Sequence, residues 1–153
     1  MIWAAIWGNQ QWNTFLLERD WESKKHSYSV NSYIYVLEEN LEGIYKPGMI
    51  FMQDNAKIHT AGKTTKWFEN HGIVLMDFPT YSPDLNPIEQ LWFELKQLVN
   101  VLDPQLKTVK AGEDELRERL TAAVERAWLL ISPERIRGLV ESMDTRIKRC
   151  NRS

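Results

Sequence analysis

The chain has 153 residues, of which 43% are apolar and 26% charged, and its formal net charge is −2. That length suits one domain with a real core, and the apolar share is ordinary for a soluble globular protein. No apolar run approaches the ~20 residues of a membrane-spanning helix, and the near-neutral balance excludes the strongly basic profile of an autonomous DNA-binding module.

Met1–Trp7 is an apolar run that lacks the basic leader and small-residue cleavage site of a signal peptide. It reads as a strand with Trp3 and Trp7 on one face. Asn13–Glu18 reads as a second strand after a polar turn, and the polar stretch 21–30 as a loop. Asn31 is placed to cap a helix through "SYIYVLEENLEGIY", whose Ile34, Leu37, Leu41 and Ile44 recur at helical spacing. Pro47-Gly48 breaks the chain before Met49–Met52, whose unbroken apolar run is the pattern of a short strand covered on both faces. Thr60 opens a helix to about Asn70, stopped by His71-Gly72. Ile73–Met76 repeats the buried-strand pattern.

After the loop "DFPTYSPDLNP", a helix runs from Ile88 with the apolar stripe Ile88, Leu91, Trp92, Leu95 and Val99. C-terminal helices follow over about 113–150, one near Glu113–Leu130 and one from Pro133. Trp67, Trp92 and Trp128 sit at helical spacing with other apolar residues and read as core. The order is strand, strand, helix, strand, helix, strand, helix: a mixed α/β fold with helices packed on a sheet, in a single domain spanning 1–153.

Charge is unevenly distributed. Residues 1–106 carry 8 Lys/Arg against 13 Asp/Glu, and residues 107–153 carry 11 against 8. The acidic part repels phosphate unless cations or basic neighbours intervene. The single cysteine, Cys150, has no internal partner for a disulfide and fits an intracellular protein.

Two acidic residues stand out. Asp54 follows the apolar run "MIFMQ", at the C-terminal end of a strand, where sites gather in open α/β sheets. The same position suits a structural role, in which Asp54 and Asn55 form an Asx turn leaving the strand. Glu89 falls in the first turn of the helix from Ile88, just beyond one edge of its apolar stripe. Asn86 is a good N-cap, Pro87 suits the first helical position, and Glu89 then stands where a capping box wants its acid. A capping role and a reach toward a neighbouring strand end do not exclude each other.

"QDNAKIHTA" and "YSPDLNPIEQLW", with 34 residues between Asp54 and Glu89, resemble the catalytic domain of mariner-superfamily, Tc-like transposases, whose acidic residues follow an Asp–Asp–34–Glu pattern. "MIWAAIWG" is similar to the second strand of that domain, "NSYIYVLEENL" to its first helix and "SMDTRIKRC" to its closing helix, so the resemblance covers nearly the whole chain. It implies a ribonuclease-H-like mixed sheet flanked by helices. It also implies DNA cleavage and strand transfer by in-line attack at phosphorus, with two Mg²⁺ or Mn²⁺ ions roughly 3.5–4 Å apart that activate the attacking hydroxyl and stabilise the leaving oxygen. Hard ions of this kind want carboxylate oxygens. Asp54 and Glu89 are then the catalytic, metal-binding carboxylates, expected to face each other across a gap that metal fills. Asn55, Lys57 and His59 are candidate contacts to DNA, although a solvated loop lysine and a turn histidine are the plainer readings of the last two. Transposon-end DNA is the implied partner, a homodimer the implied assembly and the nucleus the implied location, with no membrane.

The sequence departs from the family inside the motifs and upstream of them. Lys57 stands where the family often has Pro, and "DFPTY" where it often has Trp-Pro-Pro-Tyr. The family's first catalytic Asp lies on a strand before the segment matched by "MIWAAIWG", and its helix-turn-helix domains lie further upstream. Asp20 does not match that Asp, and Asp77, after "IVLM", is a poor substitute. The resemblance thus implies a sheet lacking its first strand, with Trp3 and Trp7 exposed, and a chain that by itself neither cuts nor joins DNA. The alternative is a decayed or domesticated remnant that keeps the fold for nucleic-acid binding or protein interaction without catalysis. An acidic residue on an upstream first strand favours the enzyme, and a genuine start at Met1 favours the remnant.

Overall fold

A computed structural model describes residues 1–79 and 82–150. The chain forms two compact units, one of Met1–Trp3 with Phe15–Asn86, the other of Ala4–Thr14 with the chain from Pro87 onward.

In the first unit, β1 (Ile2–Trp3) pairs antiparallel with a strand at Phe15–Leu16, in the register Ile2 to Leu16 and Trp3 to Phe15. Helix α1 (Val30–Ile44) follows. Its cap is Ser29, not the expected Asn31: the Ser29 hydroxyl accepts from the amides of Asn31 and Ser32, and Ser32 returns a bond to the Ser29 amide. A serine two residues earlier completes a reciprocal box that Asn31, already helical, does not offer. The expected stripe holds, with Ile34, Leu37, Leu41 and Ile44 buried, and Tyr33 and Val36 join it.

The runs Met49–Met52 and Ile73–Met76 lie side by side and parallel. Phe51 and Leu75 bridge, the Phe51 amide donates to the Val74 carbonyl at 2.8 Å, and the Met76 amide donates to the Phe51 carbonyl at 2.8 Å. Helix α2 (Gly62–Asn70) connects them, making a compact βαβ unit. Its end is a Schellman motif: Gly72 takes φ +63°, its amide donates to Glu69 and the Ile73 amide donates to Phe68. That motif turns the chain directly into the second run. The expected cover on both faces does not hold. Phe51 packs its ring on Phe68 of α2 at 5.4 Å, but Ile50 and Val74 are 60% and 56% exposed and Met76 is also exposed. Side chains alternate along an extended chain, so α2 covers the Phe51 face and leaves the other open.

In the second unit, β2 (Ile6–Trp7) and β3 (Gln10–Gln11) form a tight hairpin, and Phe15–Leu16 is therefore β4 in chain order. Gly8, at φ +56°, takes the first central position of the two-residue turn, where a primed turn needs glycine. The single strand expected over Met1–Trp7 is thus two short ones. Between the two pairings the chain counts two residues on one side (4–5) and three on the other (12–14), so one ladder cannot run through both. Trp3, expected exposed, is buried, and Trp7 is half-buried.

Helix α3 (Pro87–Leu102) buries Leu91, Leu95 and Val99, with Ile88 and Trp92 half-buried. Helix α4 (Glu113–Leu129) buries Trp128, whose ring stacks on Trp92 at 5.9 Å and whose indole donates to the Trp12 carbonyl at 2.7 Å. Arg119 of α4 grips Asp103, before a 3-10 turn at Pro104–Lys107, through two guanidinium nitrogens. Helices α5 (Pro133–Glu141) and α6 (Met143–Cys150) complete the unit. The Ser132 hydroxyl caps α5, accepting from the Arg135 amide at 3.2 Å. Among the described residues no helix is long and apolar enough to cross a membrane.

Candidate active site around Asp54

Asp54 leaves the first parallel run where the chain must turn toward α2. Its Oδ1 accepts the Ala56 amide at 3.0 Å, the Asx turn that the sequence allows. The same oxygen lies 2.5 Å from Nδ1 of His59. A carboxylate oxygen accepts, so the ring nitrogen donates. Both contacts fall on Oδ1, and the Asp54 side chain remains 50% exposed. A turn role and a presented carboxylate coexist in one residue.

The turn is held from three sides. The Asn55 amide nitrogen donates to the Phe78 carbonyl at 2.9 Å, tying the exit of the first run to the exit of the second. The Thr64 hydroxyl of α2, wholly buried, donates to the Ile58 carbonyl at 2.7 Å. The Gln53 side chain donates to the His59 carbonyl at 3.3 Å and accepts the Tyr33 hydroxyl at 2.6 Å. The His59 ring lies against Tyr33 at 4.3 Å. Burial, and then the Asp54 charge, push the Tyr33 phenol well above its ordinary value, against a smaller lowering by a hydrogen bond with Trp3. Tyr33, Gln53 and Thr64 were not singled out from the sequence. Gln53 adjoins Asp54 in "QDN", but Tyr33 lies 20 residues earlier and carries no local signal.

Lys57 is exposed. Asp20 is spent on structure: its carboxylate accepts from the Ser29 hydroxyl, the Asn31 side chain and the amides of Glu22 and Ser23, and these bonds, Ser29 first, lower its pKa. Asp77 is exposed at the end of the second run. The "SPDLNP" loop holds a 3-10 turn at Pro83–Leu85, with Leu85 and Asn86 buried. Thr80 and Tyr81 of "DFPTY" lie outside the described residues.

The described residues contain no group of three or more His, Cys, Asp and Glu that could hold a metal ion. Asp54 would offer a hydrated Mg²⁺ or Mn²⁺ one of the hard carboxylate ligands that such ions take.

Residues 21–111, with Asp54 and Glu89 inside them, match the DDE superfamily endonuclease family. The chain belongs to that family. Its relatives are Tc-type transposases, to which it is similar over most of its own length. It is 35% identical over 122 residues to the transposable element Tcb1 transposase of Caenorhabditis briggsae. It is 33% identical over 142 residues to the Tc3 transposase of Caenorhabditis elegans. These alignments cover 74% and 89% of this chain. The chain spans about two fifths of each relative's length, 41% in both cases.

In this DDE domain Glu89 stands in the first turn of α3, beyond the buried stripe and on an exposed position. Negative charge there is favoured by the helix dipole. Asn55 ties the turn to the Phe78 carbonyl and His59 holds Asp54 within it, so both side chains shape the turn.

Proposed function

We propose that this chain carries part of the catalytic centre of a DNA transposase, with Asp54 and Glu89 as two of its acidic residues. The observation that carries this reading is Asp54 itself. It is a half-exposed carboxylate at the end of a parallel run, pinned on one oxygen by Ala56 and His59, inside the segment that matches the endonuclease family. The parallel Phe51–Leu75 bridge with α2 as its connection supports a ribonuclease-H-like sheet. The substrate of the whole enzyme is then DNA at transposon ends, Mg²⁺ or Mn²⁺ its cofactor, the nucleus its place of work, and a homodimer its working form.

When bound, divalent ions supply charge stabilisation at the attacking and leaving oxygens. The part of this chain is to hold a carboxylate ready at a fixed place. Asp54 and Glu89 are two of the three residues of the Asp–Asp–Glu set, and these 153 residues by themselves are expected to leave labelled DNA uncut in Mg²⁺ or Mn²⁺. Binding calorimetry with Mn²⁺ tests the site. Asp54→Ala and Glu89→Ala should each weaken binding by at least about tenfold, the lower end of what disturbing a metal site's surroundings costs. Unchanged binding in both variants would favour the non-catalytic remnant.

A further inference from the structure

We infer that Tyr33 is a positioning residue for Asp54, acting through Gln53 on the turn that presents the carboxylate; this rests on the metal-binding reading of Asp54 proposed above. Tyr33 lies on α1, 2% exposed, with its hydroxyl 2.6 Å from Oε1 of Gln53. The amide oxygen only accepts, so the phenol donates its proton to Gln53. This fixes which way the Gln53 amide faces: its oxygen toward Tyr33, its nitrogen toward the His59 carbonyl at 3.3 Å. Gln53 and His59 are the residues at which the turn begins and ends. The bond between them closes the turn, and the Tyr33 ring lies tilted against the same His59 whose Nδ1 holds Oδ1 of Asp54. The direction of one buried hydroxyl thus passes through three hydrogen bonds and one ring contact to the carboxylate. None of these side chains needs to touch metal or DNA. Each removes a way for the carboxylate to swing.

The test uses the ¹⁵N-labelled chain titrated with Mn²⁺, read by paramagnetic loss of amide signals over residues 53–59 and by the urea midpoint. In the native protein the signals around Asp54 should fade first, and in Asp54→Ala this local loss should vanish. Tyr33→Phe keeps the ring and loses the hydroxyl, so it should need about 10-fold more Mn²⁺ for the same loss, at the lower end of the range for partners outside the ligand shell. Val36→Ala truncates a fully buried residue of the same helix outside this chain of bonds; it should lower the urea midpoint while leaving the Mn²⁺ response unchanged. If Tyr33→Phe does not fold, Gln53→Ala, at a half-exposed position, carries the same expectation. A Tyr33→Phe response equal to the native one, or an equal weakening in Val36→Ala, would overturn the inference while leaving Asp54 as a metal ligand. Equal broadening in the native chain and Asp54→Ala, or none in either, would overturn the metal reading and this inference with it.

Discussion

Nδ1 of His59 lies 2.5 Å from Oδ1 of Asp54, five positions apart in the chain. That contact exists because the turn is closed from beneath as well as at its mouth. Thr64, the one wholly buried polar residue of α2, donates its hydroxyl to the Ile58 carbonyl next to His59.

Replacing Thr64 with Val keeps the shape and removes the donor. The Ile58 carbonyl is then left without that bond, a loss of about 1–3 kcal/mol for a buried group. Urea unfolding followed by circular dichroism should show that decrease. An unchanged midpoint would mean that water replaces the hydroxyl at no cost.

Ser29 has two tasks. It caps α1 and it donates to Oδ2 of Asp20 at 2.5 Å. Ser29→Ala should lower stability by about 0.5–2 kcal/mol, the usual cost of losing an N-cap. It should also raise the Asp20 pKa toward 3.8, since the Ser29 bond is the largest cause of its lowering. Carboxyl NMR titration reads the second effect separately from the first.

Asp103 gives a pH signature. The Arg119 guanidinium beside it holds its carboxyl below the ordinary 3.8. A carboxylate whose folded-state pKa is depressed stabilises the fold above the unfolded value, and that contribution is lost as pH falls through the folded one. Asp103→Asn should therefore be less stable than the native chain at neutral pH, and the gap should close as pH drops below about 4. Urea midpoints of both proteins at several pH values decide it. A gap that widens on acidification would contradict the assignment.

The helices were legible because their signals are local. The stripes of α1 and α3 repeat every three or four residues, and Gly72 ends α2 where a left-handed residue was required. Asp54 was legible as a residue type at a strand end, and the Asx turn that it makes was one of its two readings. The rest depends on pairings distant in the chain. The break after Trp3 follows from an unequal count of residues opposite one another, which no single segment displays. Ile50 and Val74 look like core residues in sequence, yet α2 covers the Phe51 side of these runs and they lie on the other. Tyr33 looked like an ordinary apolar-face residue, because its partner Gln53 is on another element.

The claim that Asp54 is a carboxylate presented to a divalent ion is tested most directly by anomalous scattering from crystals of the chain grown in Mn²⁺. A manganese peak is predicted within about 2.0–2.6 Å of an Asp54 carboxylate oxygen, absent from Asp54→Ala crystals grown alongside. An Asp54 side chain without manganese at saturating concentration, or the same peak in Asp54→Ala, would contradict it.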